Sequence, residues 1–133
     1  MMSHLDHLVI TTRDEATCVD FYTRVLGMTL QTFMAGSPPA PRPSLHFGTQ
    51  KINIHVAGHE FEPKADRPMP GSQDLCFMLS GPLEAMIEHL RSQSWPIILG
   101  PVIRTGATGP IRSVYLRDPD QNLIELCEPV TNR

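Results

Sequence analysis

The sequence lacks any long apolar run, and its cysteines are few. No hydrophobic stretch among the 133 residues approaches the roughly 20 residues that span a bilayer. The N-terminus also lacks the basic region and apolar core of a signal peptide. The three cysteines, Cys18, Cys76 and Cys127, are too scattered for a disulfide or zinc-finger framework, and each lies in an apolar run where a free thiol usually packs as a small hydrophobic group. We therefore expect a cytoplasmic protein with no membrane partner.

Excess positive charge is also absent. A net charge of -3 gives no general attraction to nucleic acid or anionic lipid. The hydrophobic content of 41% and charged content of 19% are ordinary for a globular protein, and the length suits one domain. We expect the partner to be a small molecule. The six histidines are the informative excess, because histidine is the commonest metal ligand.

The same order of elements occurs twice along the chain. In the first half, residues 5–11 predict a strand and the capping box of Thr12 and Glu15 predicts a helix that ends at Gly27. In the second half, which follows a connector over residues 58–72, Pro82 opens a predicted helix. The other predicted strands lie at residues 28–34, 44–47 and 51–56 in the first half and at 74–79, 96–99, 111–116 and 123–128 in the second.

This duplication predicts the fold class. Neither half could cover both faces of its sheet alone, so the two halves should pack or pair around a shared concave surface. We predict an α+β protein with a single domain over residues 1–133. It would contain two βαβββ modules, at about residues 4–57 and 73–129, that form a cupped mixed sheet.

Two segments rich in proline or glycine are predicted to be loops. Residues 36–43 contain four prolines and cannot be helical. Residues 100–110 contain three glycines but lack the lysine and following helix of a phosphate-binding loop. The second segment is either a plain strand connection or a flexible flap over a ligand.

A few strand positions carry a polar residue where an apolar one is expected. After a turn at residues 118–122, Glu125 lies between apolar neighbours, and a buried unpaired charge would cost several kcal/mol. An arginine partner or exposure at a sheet edge would satisfy it equally well. If its face converges with those of His7, His55 and Asp74, the imidazole and carboxylate groups would suit zinc, nickel, cobalt, manganese or iron. Each histidine alone could instead be an ordinary polar residue, and Asp74 a turn residue.

Three motifs give the chain a family resemblance. Residues 6–10 (DHLVI), 21–28 (FYTRVLGM) and 118–125 (DPDQNLIE), with the duplicated plan, resemble the vicinal oxygen chelate superfamily, which includes glyoxalase I and the extradiol dioxygenases. Residues 50–55, 61–65 and 104–111 are similar to the glyoxalase-domain-containing protein five group and its bacterial virulence-associated relatives. The resemblance implies a cupped sheet that holds a divalent metal ion, often in a homodimer.

The resemblance also implies a ligand set. His7, His55 and Glu125 match family ligand positions in the first, fourth and last strands. The remaining position is usually histidine, and here it is Asp74, which would favour manganese, magnesium or iron over softer ions.

Three functions are compatible with this resemblance, and we expect the first. In glyoxalase I-like lyases a carboxylate, here Glu125, moves a proton between adjacent carbons of a substrate such as a glutathione adduct, while the metal stabilises an enediolate. In extradiol dioxygenases a tyrosine ten residues before the glutamate assists, and Tyr115 has that spacing. However, Asp74 in place of histidine argues against this reading, and Tyr115 could be an ordinary cross-strand core residue. A third class binds and sequesters a small molecule without turnover.

Overall fold

A computed structural model describes residues 1–131 of the chain. The chain forms two compact units, Met1–Ser72 (unit 1) and Gln73–Arg133 (unit 2). Each unit contains one four-stranded mixed sheet and helical segments, which confirms the predicted α+β class. Among the described residues, no helix has the length and apolar character needed to cross a membrane.

The two units repeat one topology. The sheet of unit 1 has the order β1-β4-β3-β2 and that of unit 2 the order β5-β8-β7-β6, with the first and last strands of each unit parallel. The elements of unit 1 are β1 (His7–Thr12), α1 (Glu15–Asp20), a π-helical segment (Phe21–Val25), β2 (Thr29–Ala35), β3 (Ala40–Phe47) and β4 (Gln50–Val56). Those of unit 2 are β5 (Asp74–Met78), α2 (Leu83–Ser92), β6 (Leu99–Gly106), β7 (Gly109–Arg117) and β8 (Leu123–Pro129).

Each sheet buries one face and leaves the other for polar groups. Period-two alternation places Ile10 on one face of β1 and His7 on the other. The buried hydrophobic residues of unit 1 include Ile10, Leu45, Ile52 and Ile54 from the sheet, with Phe21, Tyr22 and Val25 from the π-helical segment. In unit 2 they include Val114, Leu116, Ile124 and Leu126 from the sheet, with Leu83 and Leu90 from α2.

The first helix begins two residues later than the capping box predicts. Asp14 is the N-cap, and its Oδ1 accepts a hydrogen bond of 3.0 Å from the Thr17 amide. Thr12 cannot act as the cap because it still belongs to β1, where it pairs with Val56. The predicted end is confirmed, because Gly27 follows the helical residues with φ +76°.

The proline-rich loop predicted at residues 36–43 is shorter than expected. Its second half belongs to β3, in which Pro41 pairs with Met34 and Pro43 with Thr32 on β2. β4 pairs only with residues 44–47 of β3. The prolines are tolerated because this end of β3 has a strand on only one side, so a missing N–H breaks no ladder.

The predictions of a strand at residues 96–99 and of a loop at 100–110 are wrong. The strand begins at Leu99 and continues as β6, and a short turn at Ala107 and Thr108 leads directly into β7. Gly100 has φ +107° at a β-bulge, and an added Cβ there would lie 2.5 Å from the Ser113 carbonyl oxygen. Glycine therefore marks a bulge inside a strand at this position, where the sequence pattern indicated a loop.

The hairpin predicted around residues 118–122 is confirmed. Asp118 is buried, and its Oδ1 accepts hydrogen bonds from the backbone amides of Asp120 and Asn122, both at 2.9 Å. Its Oδ2 accepts a third bond of 2.8 Å from the side-chain amide of Asn122. Asn122 in turn accepts from the Gln73 amide at 2.8 Å, which ties the turn to the start of β5. This network fixes the register that places Glu125 on β8.

Candidate active site

The polar face of the unit 2 sheet carries three of the predicted site residues, of which Glu125 and Tyr115 line one pocket and Asp74 does not. Glu125 on β8 pairs with Cys76 on β5 and with Tyr115 on β7. Asp74 pairs with Leu123, the preceding same-face position of β8. Asp74, Glu125 and Tyr115 therefore share one face.

A pocket of about 530 Å³ opens on this face. Its lining combines polar groups at Glu125, Tyr115 and Arg104 with apolar and sulphur-containing side chains, the usual composition of a small-molecule site. Its lining residues are Cys76, Met78, Arg104, Thr105, Gly106, Ala107, Ile111, Tyr115, Glu125 and Cys127.

Glu125 is half-buried and has a defined partner. The Ser113 hydroxyl donates a hydrogen bond of 2.6 Å to its Oε2. Ser113 is fully buried, so this donor is fixed by the packing of β7. The sequence left an arginine or solvent as the partner, and in the structure it is a serine hydroxyl on the neighbouring strand. A carboxylate oriented by a hydrogen-bond donor is a candidate proton acceptor.

Tyr115 lines the pocket and is not a core residue. Its hydroxyl oxygen accepts a hydrogen bond of 3.1 Å from Nε of Arg104, whose guanidinium carbon lies 5.6 Å from the centre of the tyrosine ring. The hydroxyl hydrogen therefore remains available to an acceptor in the pocket. Arg104 and Tyr115 together offer an anionic ligand a positive charge and a hydrogen-bond donor.

The predicted ligands of unit 1, His7 and His55, lie on the same face of the sheet but far apart along its strands. His7 pairs with Lys51 at one end of the β1–β4 ladder, and His55 pairs with Thr11 at the other. This separation of four residues corresponds to about 13 Å along the strands.

The two histidines also differ in their surroundings. Nδ1 of His7 is 2.8 Å from an Asp6 carboxylate oxygen, and its side chain is 43% exposed. His55 is buried, its ring contacts Phe61 edge-on with centroids 5.5 Å apart, and the Arg42 guanidinium lies 4.1 Å over the Phe61 ring. Burial lowers the pKa of His55, and the positive charge of Arg42 lowers it further.

Comparison of the two ladders identifies a residue that the sequence-based site did not include. His7 begins β1 in unit 1, and Asp74 begins β5 in unit 2. On the last strand of each unit, the residue two positions after their pairing partner is Asn53 in unit 1 and Glu125 in unit 2. By the same count His55 corresponds to Cys127. Oδ1 of Asn53 is buried without a hydrogen-bond partner, which is costly for an amide oxygen. The position equivalent to Glu125 in unit 1 is therefore Asn53.

Residues 4–126 match the Glyoxalase/Bleomycin resistance protein/Dioxygenase superfamily. The chain belongs to this superfamily. The predicted resemblance to the vicinal oxygen chelate group is thereby confirmed.

Two relatives are substantially similar to this chain. The glyoxalase domain-containing protein RDO1 of Mycosarcoma maydis is 54% identical over 122 residues, covering 92% of this chain and 66% of the relative, slightly under two thirds of its length. The virulence protein STM3117 of Salmonella typhimurium is 48% identical over 98% of this chain and 87% of its own. The crystal structure of STM3117 superposes with a TM-score of 0.91 and covers 99% of that chain.

A more distant member shares the fold. The lactoylglutathione lyase of Agrobacterium tumefaciens superposes with a TM-score of 0.69 at 18% identity, covering 96% of this chain and 95% of that one. The shared fold is the predicted βαβββ duplication.

Members of the superfamily typically bind a divalent metal, and the donor chemistry of single residues fits one. The Asp6 contact occupies Nδ1 of His7 and leaves Nε2 as the coordinating nitrogen, as in many carboxylate–histidine–metal arrangements. Burial favours the neutral, ligating form of His55. However, within residues 1–131 no three His, Cys, Asp or Glu side chains gather closely enough to hold an ion. The ligand roles of His7, His55, Asp74 and Glu125 stay predictions.

Arg104 is the pocket residue that sequence reasoning missed. It lies in the segment that the sequence predicts to be a loop, and a loop has no alternation from which the orientation of a side chain could be predicted. The run Val102, Ile103, Arg104 and Thr105 contains three β-branched residues, which is the signal that could have indicated a strand.

Proposed function

We propose that the protein is a glyoxalase I-like lyase or isomerase that moves a proton on a small, oxygen-rich anionic substrate in the Glu125 pocket. The observation that supports it is a carboxylate held by a serine hydroxyl in a 530 Å³ pocket that also contains a guanidinium and a phenol. Superfamily membership agrees with this reading.

Glu125 is the proton acceptor in this proposal. The hydrogen bond from Ser113 fixes one oxygen of the carboxylate, so its orientation toward the pocket costs little at the moment of reaction. The carboxylate removes a proton from a carbon next to a carbonyl and returns it to the neighbouring carbon. In this scheme the same carboxylate removes the proton and returns it, so no second acid is needed.

Arg104 and Tyr115 bind the substrate oxygens. Removal of the proton leaves negative charge on the carbonyl oxygen, and a fixed guanidinium and phenol stabilise that charge. Arg104 Nε donates a hydrogen bond to the Tyr115 hydroxyl oxygen. This bond polarises the hydroxyl group, which makes its O–H a better hydrogen-bond donor to the substrate.

The proposal includes a divalent metal ion, for which His7, His55, Asp74 and Glu125 are the predicted ligands; His7 and His55, about 13 Å apart along the strands, lie too far apart to bind the same ion. When bound, such an ion polarises substrate oxygens and lowers the pKa of the adjacent C–H group. Metal analysis of protein purified without added metal tests this part. We expect His7→Ala and Glu125→Gln to lose metal while keeping their fold; stoichiometric metal in both variants would show that the ligand set is wrong.

One observation favours a second candidate, a ring-cleaving dioxygenase. Tyr115 is the direct cross-strand neighbour of Glu125, so the tyrosine that the dioxygenase reading needs is in the same pocket. The Arg104 contact gives this tyrosine another role, however, and Asp74 replaces a required histidine.

The test offers metal-supplemented protein two substrates: methylglyoxal with glutathione, and catechol with oxygen. We expect thioester formation from the first, and a decrease in kcat of about 10²–10⁴-fold in Glu125→Gln, as is typical for removal of a general base. Arg104→Gln and Tyr115→Phe should also lower kcat, because each removes a group that stabilises the developing negative charge. Glu88→Gln, on an exposed face of α2, is the matched carboxylate control.

The outcomes separate the three functions. Oxygen uptake with catechol and no thioester would favour the dioxygenase. Binding of either compound without turnover would favour a sequestering protein. A Glu125→Gln variant with the activity of the Glu88→Gln control would contradict the role of Glu125.

A further inference from the structure

Three sulphur atoms meet on one wall of the unit 2 pocket. Sγ of Cys76 is 3.6 Å from Sγ of Cys127, which is 3.9 Å from Sδ of Met78. All three side chains line the pocket. Cys76 is exposed and Cys127 is buried, so the usual packing of a free cysteine as a small hydrophobic group describes Cys127 better than Cys76. The proposed lyase chemistry uses none of these sulphurs.

Strand geometry makes these thiols poor disulfide partners. Cys76 pairs with Glu125, and Cys127 pairs with Met78, so the cysteines are diagonal neighbours on parallel strands. Diagonal Cα atoms in a sheet are about 7–8 Å apart, beyond the usual disulfide range of roughly 4.4–6.8 Å. A bond between them would require β5 to slide relative to β8.

The separations of Cys127 Sγ from the other two sulphur atoms suit neighbouring ligands of one ion. Sulphur ligands lie about 2.3 Å from a bound metal, so two of them at the corners of a triangle or tetrahedron are about 3.8–4.0 Å apart. The two observed sulphur separations, 3.6 and 3.9 Å, are close to this value. A thiolate and thioether set selects a soft ion such as Cu(I) over zinc, manganese or magnesium.

We propose that Cys76, Cys127 and Met78 form a binding site for a soft monovalent cation, with Cu(I) as its best-matched occupant. The side chains of Cys76 and Met78 are exposed on the pocket, so the ion has an open path, and the buried Cys127 anchors it. Two thiolates and one Cu(I) carry a net charge of -1, and the Arg104 guanidinium and the Glu125 carboxylate line the same pocket.

The test is an anaerobic titration of the reduced full-length chain with Cu(I) against bicinchoninate as a competing chelator. We expect one Cu(I) per chain and sulphur-only neighbours in X-ray absorption. Met78→Leu, at an exposed position, should keep the fold, weaken binding at least tenfold and leave two sulphur neighbours. The Cys76→Ser, Cys127→Ser double variant should lose the site.

Cys18→Ala is the matched control, since Cys18 is the remaining cysteine and lies in unit 1. It should bind Cu(I) as the unchanged chain does. Equal binding in the double-serine variant, nitrogen or oxygen neighbours in the absorption spectrum, or loss of binding in Cys18→Ala would overturn the proposal. Absence of Cu(I) binding by the reduced, folded chain would overturn it as well.

Discussion

In unit 1, the β4 residue that faces Val9 is Asn53; in unit 2, the β8 residue that faces Cys76 is Glu125. The neighbouring strands differ in the same way, because Ser44 faces Asn53 where Tyr115 faces Glu125. The strand order and the parallel and antiparallel pairings are nevertheless the same in both units.

This difference separates what the fold requires from what a site requires. The buried face needs only apolar residues of suitable volume, and both sheets supply isoleucine and leucine there, with valine added in unit 2. The polar face is free to vary, so unit 1 has nitrogen donors and an amide whereas unit 2 has carboxylates, a phenol and sulphur. One topology can thus present two chemistries.

The largest expected effect concerns the turn that only unit 2 contains. Asp118→Ala removes the acceptor of three hydrogen bonds from a buried site and should lower the free energy of unfolding by about 3 kcal/mol. Urea denaturation followed by circular dichroism measures it. The turn between β3 and β4 provides the control, because Thr49 is exposed and Thr49→Ala should change stability by less than about 0.5 kcal/mol. Equal effects would mean that the two turns are equivalent.

The next effect tests how each unit caps its helix. Asp14 caps α1 from the preceding residue, but α2 has no such cap, and Oε2 of Glu128 on β8 accepts a bond of 2.9 Å from the Leu83 amide. Glu128→Ala should therefore cost about 1–2 kcal/mol, because it removes both this cap and the ion pair with Arg112.

Glu88→Ala is the control for this prediction, since Glu88 makes only an exposed ion pair on the same helix. Thermal melts of the two variants should differ clearly. Similar melting temperatures would show that α2 does not depend on the sheet for its cap.

The smallest effect is a pH dependence that belongs to unit 1. The folded-state pKa of His55 is lowered from its usual value near 6.5 by burial and by Arg42, with Glu60 and Glu62 acting in the opposite direction. The unfolded chain therefore binds the proton first as the pH falls below neutral, so stability decreases with falling pH from about 7 downward. Urea midpoints at pH 7 and pH 5 should differ less in His55→Gln than in the unchanged chain. His59→Gln, at an exposed position, should leave the difference as it was.

Much of the fold could be predicted from local patterns. The alternation in residues 5–11, the glycine after the first helix and the Asp118 turn each depend on near neighbours in the sequence, and each is present in the structure. The failures have non-local causes. Pro41 and Pro43 fit a strand only because β4 stops short of them, and nothing near them in the sequence says so.

The residues of the candidate site likewise fall into those that local sequence patterns predict and those that depend on non-local pairing. Glu125 and Tyr115 could be found because turn and spacing fix them relative to one another. Ser113 and Arg104 could not, because a hydrogen bond between strands and the register of β6 depend on pairing across the sheet. Asn53 could be matched to Glu125 only after both ladders were known.

The bulge in β6 determines which side chain enters the pocket. Leu99 pairs with Tyr115 and Val102 with Ser113, so three steps along β6 correspond to two along β7. Because side chains alternate at every step, this one additional residue reverses the orientation of everything after it. Arg104 thereby turns inward and Ile103 outward. Removal of a single residue from the Gly100–Pro101 step would exchange the orientations of Arg104 and Ile103. The mouth of the pocket, which is now cationic, would then be apolar.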